Sequence, residues 1–196
     1  MADIDYYFSV LSPWAYFASD RLEQVASRHG KTIGYRPIDA MTVFKASGGQ
    51  PVHERPPARQ AYRLQELRRT SARTGMAYHQ EPAYWPADAR PASIAIIATE
   101  MAGTDPAPLI RAALSAVWSE QRNIADPQIV AALVAGAGAA SEDIAAHMPA
   151  AEVQFDAFTD EAIARGVFGV PFYIVGEETF WGQDRLDDLD WHLSRH

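Results

Sequence analysis

The hydrophobic pattern changes period along this chain. Asp5-Tyr6-Tyr7-Phe8-Ser9-Val10-Leu11 is a short aromatic and β-branched run, as expected of a buried strand. From Ser12 to about His29 the spacing becomes helical, with Leu22, Val25 and Ala26 on one face and Gly30 just past the end. Residues 32–38 predict a second short strand, which Pro37 ends or places near an edge. Together these segments predict a β-α-β unit with a right-handed crossover.

The middle of the chain has another character. Gly48-Gly49, Pro51 and Pro56-Pro57 make 41–57 an irregular loop. Helices are predicted over 58–74, 92–101, 108–119, 127–135 and 141–148. Pro57 suits a first helical turn, and Asp126-Pro127 suits a cap followed by the first helical residue. Tyr84-Trp85-Pro86, between Pro82 and Pro91, predicts an extended passage. A helix over 156–165 ends at Gly166. Strands at 172–175 and 179–181 then flank Gly176-Glu177-Glu178 as a hairpin. A final helix, begun by Gln183 and Asp184, carries Leu186, Leu189 and Leu193 on one face. A β-α-β start and a β-β-α end thus enclose a run of helices. The expected class is α/β, with 1–40 and 166–196 forming one unit and 41–165 an inserted all-helical subdomain.

Composition narrows the chemistry. The length of 196 residues suits one compact domain or a small fold with an insertion, and 48% hydrophobic residues suffice for a full core. There is no cysteine, which excludes dithiol redox chemistry and thiolate-bound metal. His29, His79, His147, His192 and His196 show no metal-ligand spacing, and no GxGxxG or P-loop is present. Neither a metal nor a nucleotide is implied. A net charge of −8 argues against nucleic acid as a partner. No apolar stretch reaches the ~18 residues of a membrane span, and no signal-peptide pattern precedes Asp3, so a cytoplasmic protein is expected. Arg55, Arg59, Arg63, Arg68, Arg69 and Arg73 crowd one segment. They form either a local basic face or a solvated helix laced by Glu54, Glu66 and Glu81.

Ser12-Pro13 follows the first strand, where a thioredoxin-like protein would carry its CxxC, and Gly169-Val170-Pro171 precedes the late strand. That is the frame of a thioredoxin fold without its thiol. A site of this kind must borrow one, which points at glutathione. Three motifs carry a resemblance: Tyr7-Phe8-Ser9-Val10-Leu11-Ser12-Pro13-Trp14-Ala15-Tyr16, Arg165-Gly166-Val167-Phe168-Gly169-Val170-Pro171, and Phe180-Trp181-Gly182-Gln183-Asp184-Arg185-Leu186. The chain resembles, over nearly its whole length, the 2-hydroxychromene-2-carboxylate isomerase family. Its relatives are the kappa-class glutathione transferases and DsbA-like thioredoxin-fold proteins. The resemblance implies a thioredoxin-like fold interrupted by an inserted all-helical subdomain, a glutathione site and a homodimer. It also implies an activity: glutathione-dependent interconversion of 2-hydroxychromene-2-carboxylate and trans-o-hydroxybenzylidenepyruvate by reversible thiolate addition.

The site residues follow partly from chemistry and partly from that resemblance. Ser12 sits at a strand–helix junction, where a hydroxyl and the free N–H groups of a helix start favour a bound thiolate; it also suits an ordinary N-cap. Pro171 is the candidate cis proline, which would open the Val170 backbone to the cysteinyl backbone of glutathione; it also suits the start of an edge strand. Gln183 and Asp184 would take the γ-glutamyl end, with the Asp184 carboxylate on its ammonium. Equally, Asp184 caps the helix and Arg185 pairs with Asp188 at the surface. Lys45 would meet the glycyl carboxylate or an acidic substrate, or is simply solvated. By resemblance the substrate lies against Trp14, Tyr16, Arg59, Tyr84 and Trp85. Family members often carry Asn where this chain has Gly48–His53 and again where it has Asp88; His53 is the substitute polar contact or an exposed loop residue. Two rivals stand beside the isomerase: a kappa-like glutathione transferase that keeps its adduct, and a non-catalytic thioredoxin-like binding module.

Overall fold

The computed structural model describes residues 2–138 and 141–195. Strand β1 (Ile4–Phe8) pairs in parallel with β2 (Ile33–Pro37) and antiparallel with β3 (Phe172–Val175). β3 pairs antiparallel with β4 (Glu178–Trp181), giving the order β2-β1-β3-β4. Every residue of β1 is buried. A strand flanked on both edges and covered on both faces needs an unbroken apolar run, which Tyr6-Tyr7-Phe8 supplies. Pro37 ends the edge strand β2, where a missing N–H is tolerated.

The predicted helix from Ser12 to His29 is two helices, α1 (Pro13–Ala18) and α2 (Arg21–Arg28). Between them Ser19 takes φ 47° and ψ −131°, a conformation that side-chain-bearing residues rarely adopt and that ends a helix. The predicted loop at 41–57 is also corrected. It contains α3 (Ala40–Ser47), capped by the Asp39 carboxylate on the Met41 and Thr42 N–H groups and closed by left-handed Gly48. A short 3-10 turn, Val52–Glu54, follows.

Helices α4 (Pro57–Thr74), α5 (Arg90–Met101), α6 (Ala107–Trp118) and α7 (Pro127–Gly136) lie close to their predicted spans. The Asp126 side chain caps α7 through the Gln128 N–H, with Pro127 at the first position. The two helices expected at 141–148 and 156–165 are one, α8 (Ser141–Ala164), with Pro149 inside it. Proline forfeits one helical hydrogen bond, but Ile144, Ala151, Phe155, Phe158 and Ala162 are buried along the helix. α8 packs on α5, α3 and β2, and that packing carries it through the proline. At the C-terminus, Gln183–Arg185 form a 3-10 turn ahead of α9 (Leu186–Leu193), so Gln183 and Asp184 precede the last α-helix instead of opening it.

The result is a thioredoxin-like α/β fold in which α3 to α8 lie between β2 and β3. One continuous hydrophobic core joins the sheet to these helices. Beneath β1 the buried Asp5 carboxylate accepts hydrogen bonds from Arg36 of β2 and from Arg165, at the end of α8. Tyr7 donates to Glu161 of α8 at 2.8 Å, which in turn pairs with Arg36. Burial alone would raise the Asp5 carboxyl, but the hydrogen bonds from Arg165 and Arg36 outweigh it and hold it below its ordinary value.

Candidate active site

Ser12 is buried at the point where β1 gives way to α1. Its N–H donates to the Ser9 carbonyl at 2.9 Å, a tight turn that aims the side chain across the end of the sheet. The hydroxyl does two things at once. It accepts from the Ala15 N–H at 3.3 Å, as an N-cap should, and it donates to the Val170 carbonyl at 3.3 Å. Val170–Pro171 is a cis peptide, so the structure makes Pro171 the cis proline that the sequence left open. Capping and facing Val170 are therefore compatible roles for one hydroxyl. The free donors expected at the start of α1 are fewer than the sequence suggested: Pro13 has no N–H, and that of Ala15 is taken by Ser12 itself.

Gly169 completes the turn. A Cβ there would fall 2.5 Å from the Trp181 indole nitrogen, so only glycine lets the Gly169-Val170-Pro171 backbone pass under that ring. Gly182 is constrained by its backbone, since φ 111° is a conformation that side-chain-bearing residues rarely adopt. The turn that follows packs against α1.

Ser12 and Val170 line a mostly apolar cavity of 800 Å³, a size suited to a small ligand. Trp14, Trp85 and His53, all expected on the substrate side, line it too, together with Ile38, Phe44 and Phe155, which sequence reasoning missed. The Trp85 indole N–H donates to the Leu11 carbonyl at 3.1 Å, tying this ring to the residue beside Ser12. His53 is exposed and lies 3.6 Å from Glu54.

The other expected residues stand elsewhere. Tyr16 is buried and donates its hydroxyl to the Ala77 carbonyl at 2.5 Å, fastening α1 to the segment after α4. Lys45, Arg59 and Tyr84 are exposed and do not line the cavity. Lys45 lies on the last turn of α3, whose Met41 and Phe44 face the cavity in its place. Gln183 is buried, and Arg21 donates to both its side-chain and backbone oxygens at 3.1 Å. Asp184 pairs with Arg185 at 2.9 Å, and Arg185 also holds Asp188 at 3.0 Å.

Three arginines do reach the cavity: Arg55, Arg63 and Arg90. The Arg63 guanidinium lies over the Trp85 ring, 5.5 Å from its centre. Burial, and then the neighbouring charge of Arg55, holds Arg63 below its ordinary value. The crowding of arginines along 55–73 was visible in the sequence, but which one turned inward was not. Arg69 behaves as a surface residue, paired with Glu66 and Gln65. A second, open depression of 640 Å³, lined by Asp20, Glu23, Arg28, Asp105 and Arg111 among others, shares no residue with this cavity.

The donor set at Ser12 fits a thiol ligand. It offers a buried hydroxyl whose proton can turn from the Val170 carbonyl to an incoming sulfur by rotation about one bond. Lining residues with side-chain hydroxyls are Ser9 and Ser12, and the chain brings no sulfur nucleophile of its own.

Fold and site together define a thioredoxin-fold protein with a hydroxyl where a redox member would hold a thiol. The family model described as the DSBA-like thioredoxin domain matches residues 3–194. A 2-hydroxychromene-2-carboxylate isomerase from Pseudomonas putida is 32% identical, covering 98% of this chain and 94% of that protein. One from Sphingobium xenophagum is 28% identical, covering 97% of each. The solved structure of a 2-hydroxychromene-2-carboxylate isomerase superposes with a TM-score of 0.81 at 29% identity, covering 98% of this chain and 94% of that one. The chain belongs to the 2-hydroxychromene-2-carboxylate isomerase family, within the DSBA-like thioredoxin proteins.

Proposed function

We propose that this protein interconverts 2-hydroxychromene-2-carboxylate and trans-o-hydroxybenzylidenepyruvate, using glutathione as a borrowed thiol, as a homodimer in the cytoplasm. The observation that carries the reading is the Ser12 hydroxyl, buried 3.3 Å from the Val170 carbonyl at the wall of an apolar cavity, in a chain without cysteine. The names of the relatives supply the substrate.

In this reading Ser12 holds the sulfur by donating its proton to it, which stabilises the thiolate over the thiol. The Val170 backbone, beside cis Pro171, pairs with the cysteinyl unit like an added strand. The turn at Gln183 and Asp184 takes the γ-glutamyl end, with Asp184 exchanging Arg185 for the ligand ammonium. When bound, glutathione supplies the nucleophile that adds reversibly to the conjugated carbon, allowing the new single bond to rotate before the thiol leaves. Trp14 and Trp85 hold the aromatic ring, and the apolar wall keeps water from the reacting carbon.

The test is turnover of the chromene carboxylate, followed by ultraviolet absorbance, with and without glutathione. The wild type is expected to require glutathione and to return it unchanged. Ser12→Ala should lower kcat by roughly ten- to a hundredfold, the worth of one hydrogen bond to a charged group. Accumulation of a glutathione conjugate would instead indicate a kappa-like transferase. Glutathione binding without turnover of any electrophile would indicate a binding module.

A further inference from the structure

The cavity beside Ser12 is lined by charges of both signs, but its acids point their oxygens at backbone N–H groups and not at Arg63. Asp39 caps α3 through Met41 and Thr42, and Asp88 accepts from the Arg90 backbone N–H at 2.9 Å. Arg90, also on the lining, is neutralised by Asp156 and Glu152. Arg55 uses one N–H on the Gln50 carbonyl, at 2.9 Å. Arg63 has no carboxylate within ion-pair distance among the described residues, yet it is partly buried and lies over the Trp85 ring. An arginine removed from water without an anion is costly. The indole face recovers part of that cost, and no hydrogen bond occupies the Arg63 N–H groups among the described residues, which leaves its fork available to a planar, two-pronged acceptor.

We infer that Arg63 is the carboxylate anchor of the cavity: it binds the carboxylate of a conjugated aromatic oxo acid, with Arg55 adding its field and Trp85 holding both the guanidinium and the acid's ring. This inference rests on the isomerase reading for its choice of acid, and it fills the basic role that exposed Lys45 and Arg59 leave vacant. Trp85 is bonded to the Leu11 carbonyl, so the anchor is referenced to the backbone that carries Ser12. The carboxylate end and the reacting carbon are thereby set at a fixed separation.

The experiment titrates trans-2-hydroxycinnamate and its neutral primary amide calorimetrically into wild type, Arg63→Met and Arg63→Lys. Neither probe requires glutathione or turnover. The wild type should favour the carboxylate over the amide by about 10- to 100-fold, as a charge-assisted pair implies. Arg63→Met should abolish that preference while keeping the amide affinity, and Arg63→Lys should retain part of it. If Arg63→Met fails to fold, Arg63→Gln serves as the neutral variant. A wild type with no preference, or a neutral variant that keeps it, overturns the assignment. Glutathione titrated into the same variants separates the two sources of carboxylate. A loss of glutathione affinity with the cinnamate preference intact would assign Arg63 to glutathione and overturn the inference. A protein that prefers the carboxylate but never turns over keeps the anchor and loses the isomerase reading.

Discussion

At the residue scale, several backbone positions are decided by what a single atom would meet. Ser19 holds a conformation that glycine adopts at little cost. Ser19→Gly is therefore expected to stabilise the protein by about 1 kcal/mol, read as a higher urea midpoint at unchanged slope. Gly169 is the converse: Gly169→Ala drives a methyl into Trp181 and should cost about 1–3 kcal/mol. Trp181→Ala in that background removes the obstacle, so the double variant should lose less than the two single losses combined. The sequence announced Gly169 through its place before Val170-Pro171, and it announced Ser12 through its place after a strand. It could not announce that Arg63 turns inward while Arg59, one helical turn away, stays in water. That choice depends on where Trp85 lies, and Trp85 is 22 residues further along the chain.

Between elements, the ion cluster under β1 is the firmest polar connection. Asp5 on β1, Arg36 on β2, and Glu161 and Arg165 at the end of α8 join the sheet to the longest helix. Because the Asp5 carboxyl is held below its ordinary value, its contribution is present above the unfolded-state pKa and fades as pH falls through the folded one. Asp5→Asn should therefore destabilise by up to about 3 kcal/mol at neutral pH, where Arg36 and Arg165 lose their nearer anion and keep Glu161 at 3.4 Å. The gap between wild type and variant should shrink as pH falls below about 4. Urea unfolding at pH 7 and pH 3 measures both. The element errors share one cause: local signals compete, and packing arbitrates. Gly48-Gly49 and Pro51 suggested a loop, yet Asp39 and Gly48 bracket a true helix between them. Separate helices were expected over 141–148 and 156–165, yet a row of buried residues carries α8 through Pro149 and across the gap.

For the molecule as a whole, the broad plan was legible because a β-α-β start and a β-β-α end leave few ways to close one sheet. The cavity was less so, because its wall gathers residues from 9–14, 38–63, 85–90, Phe155 and Val170, and no local pattern encodes such a meeting. The inserted helices share one core with the sheet. They should accordingly unfold with it in a single step: far-ultraviolet circular dichroism and tryptophan fluorescence should give superimposable denaturation curves. An early fluorescence transition would show separable units. β1 lies between β2 and β3, so the strand made first waits for a partner made almost last. On a translating ribosome, β1 can meet only β2 until residues 172–175 have cleared the exit tunnel. Ser12 until then faces no Val170. The cavity at Ser12 is thus among the last things this chain can assemble, and a polypeptide stalled before residue 170 leaves one flank of a largely apolar strand open to any other chain nearby.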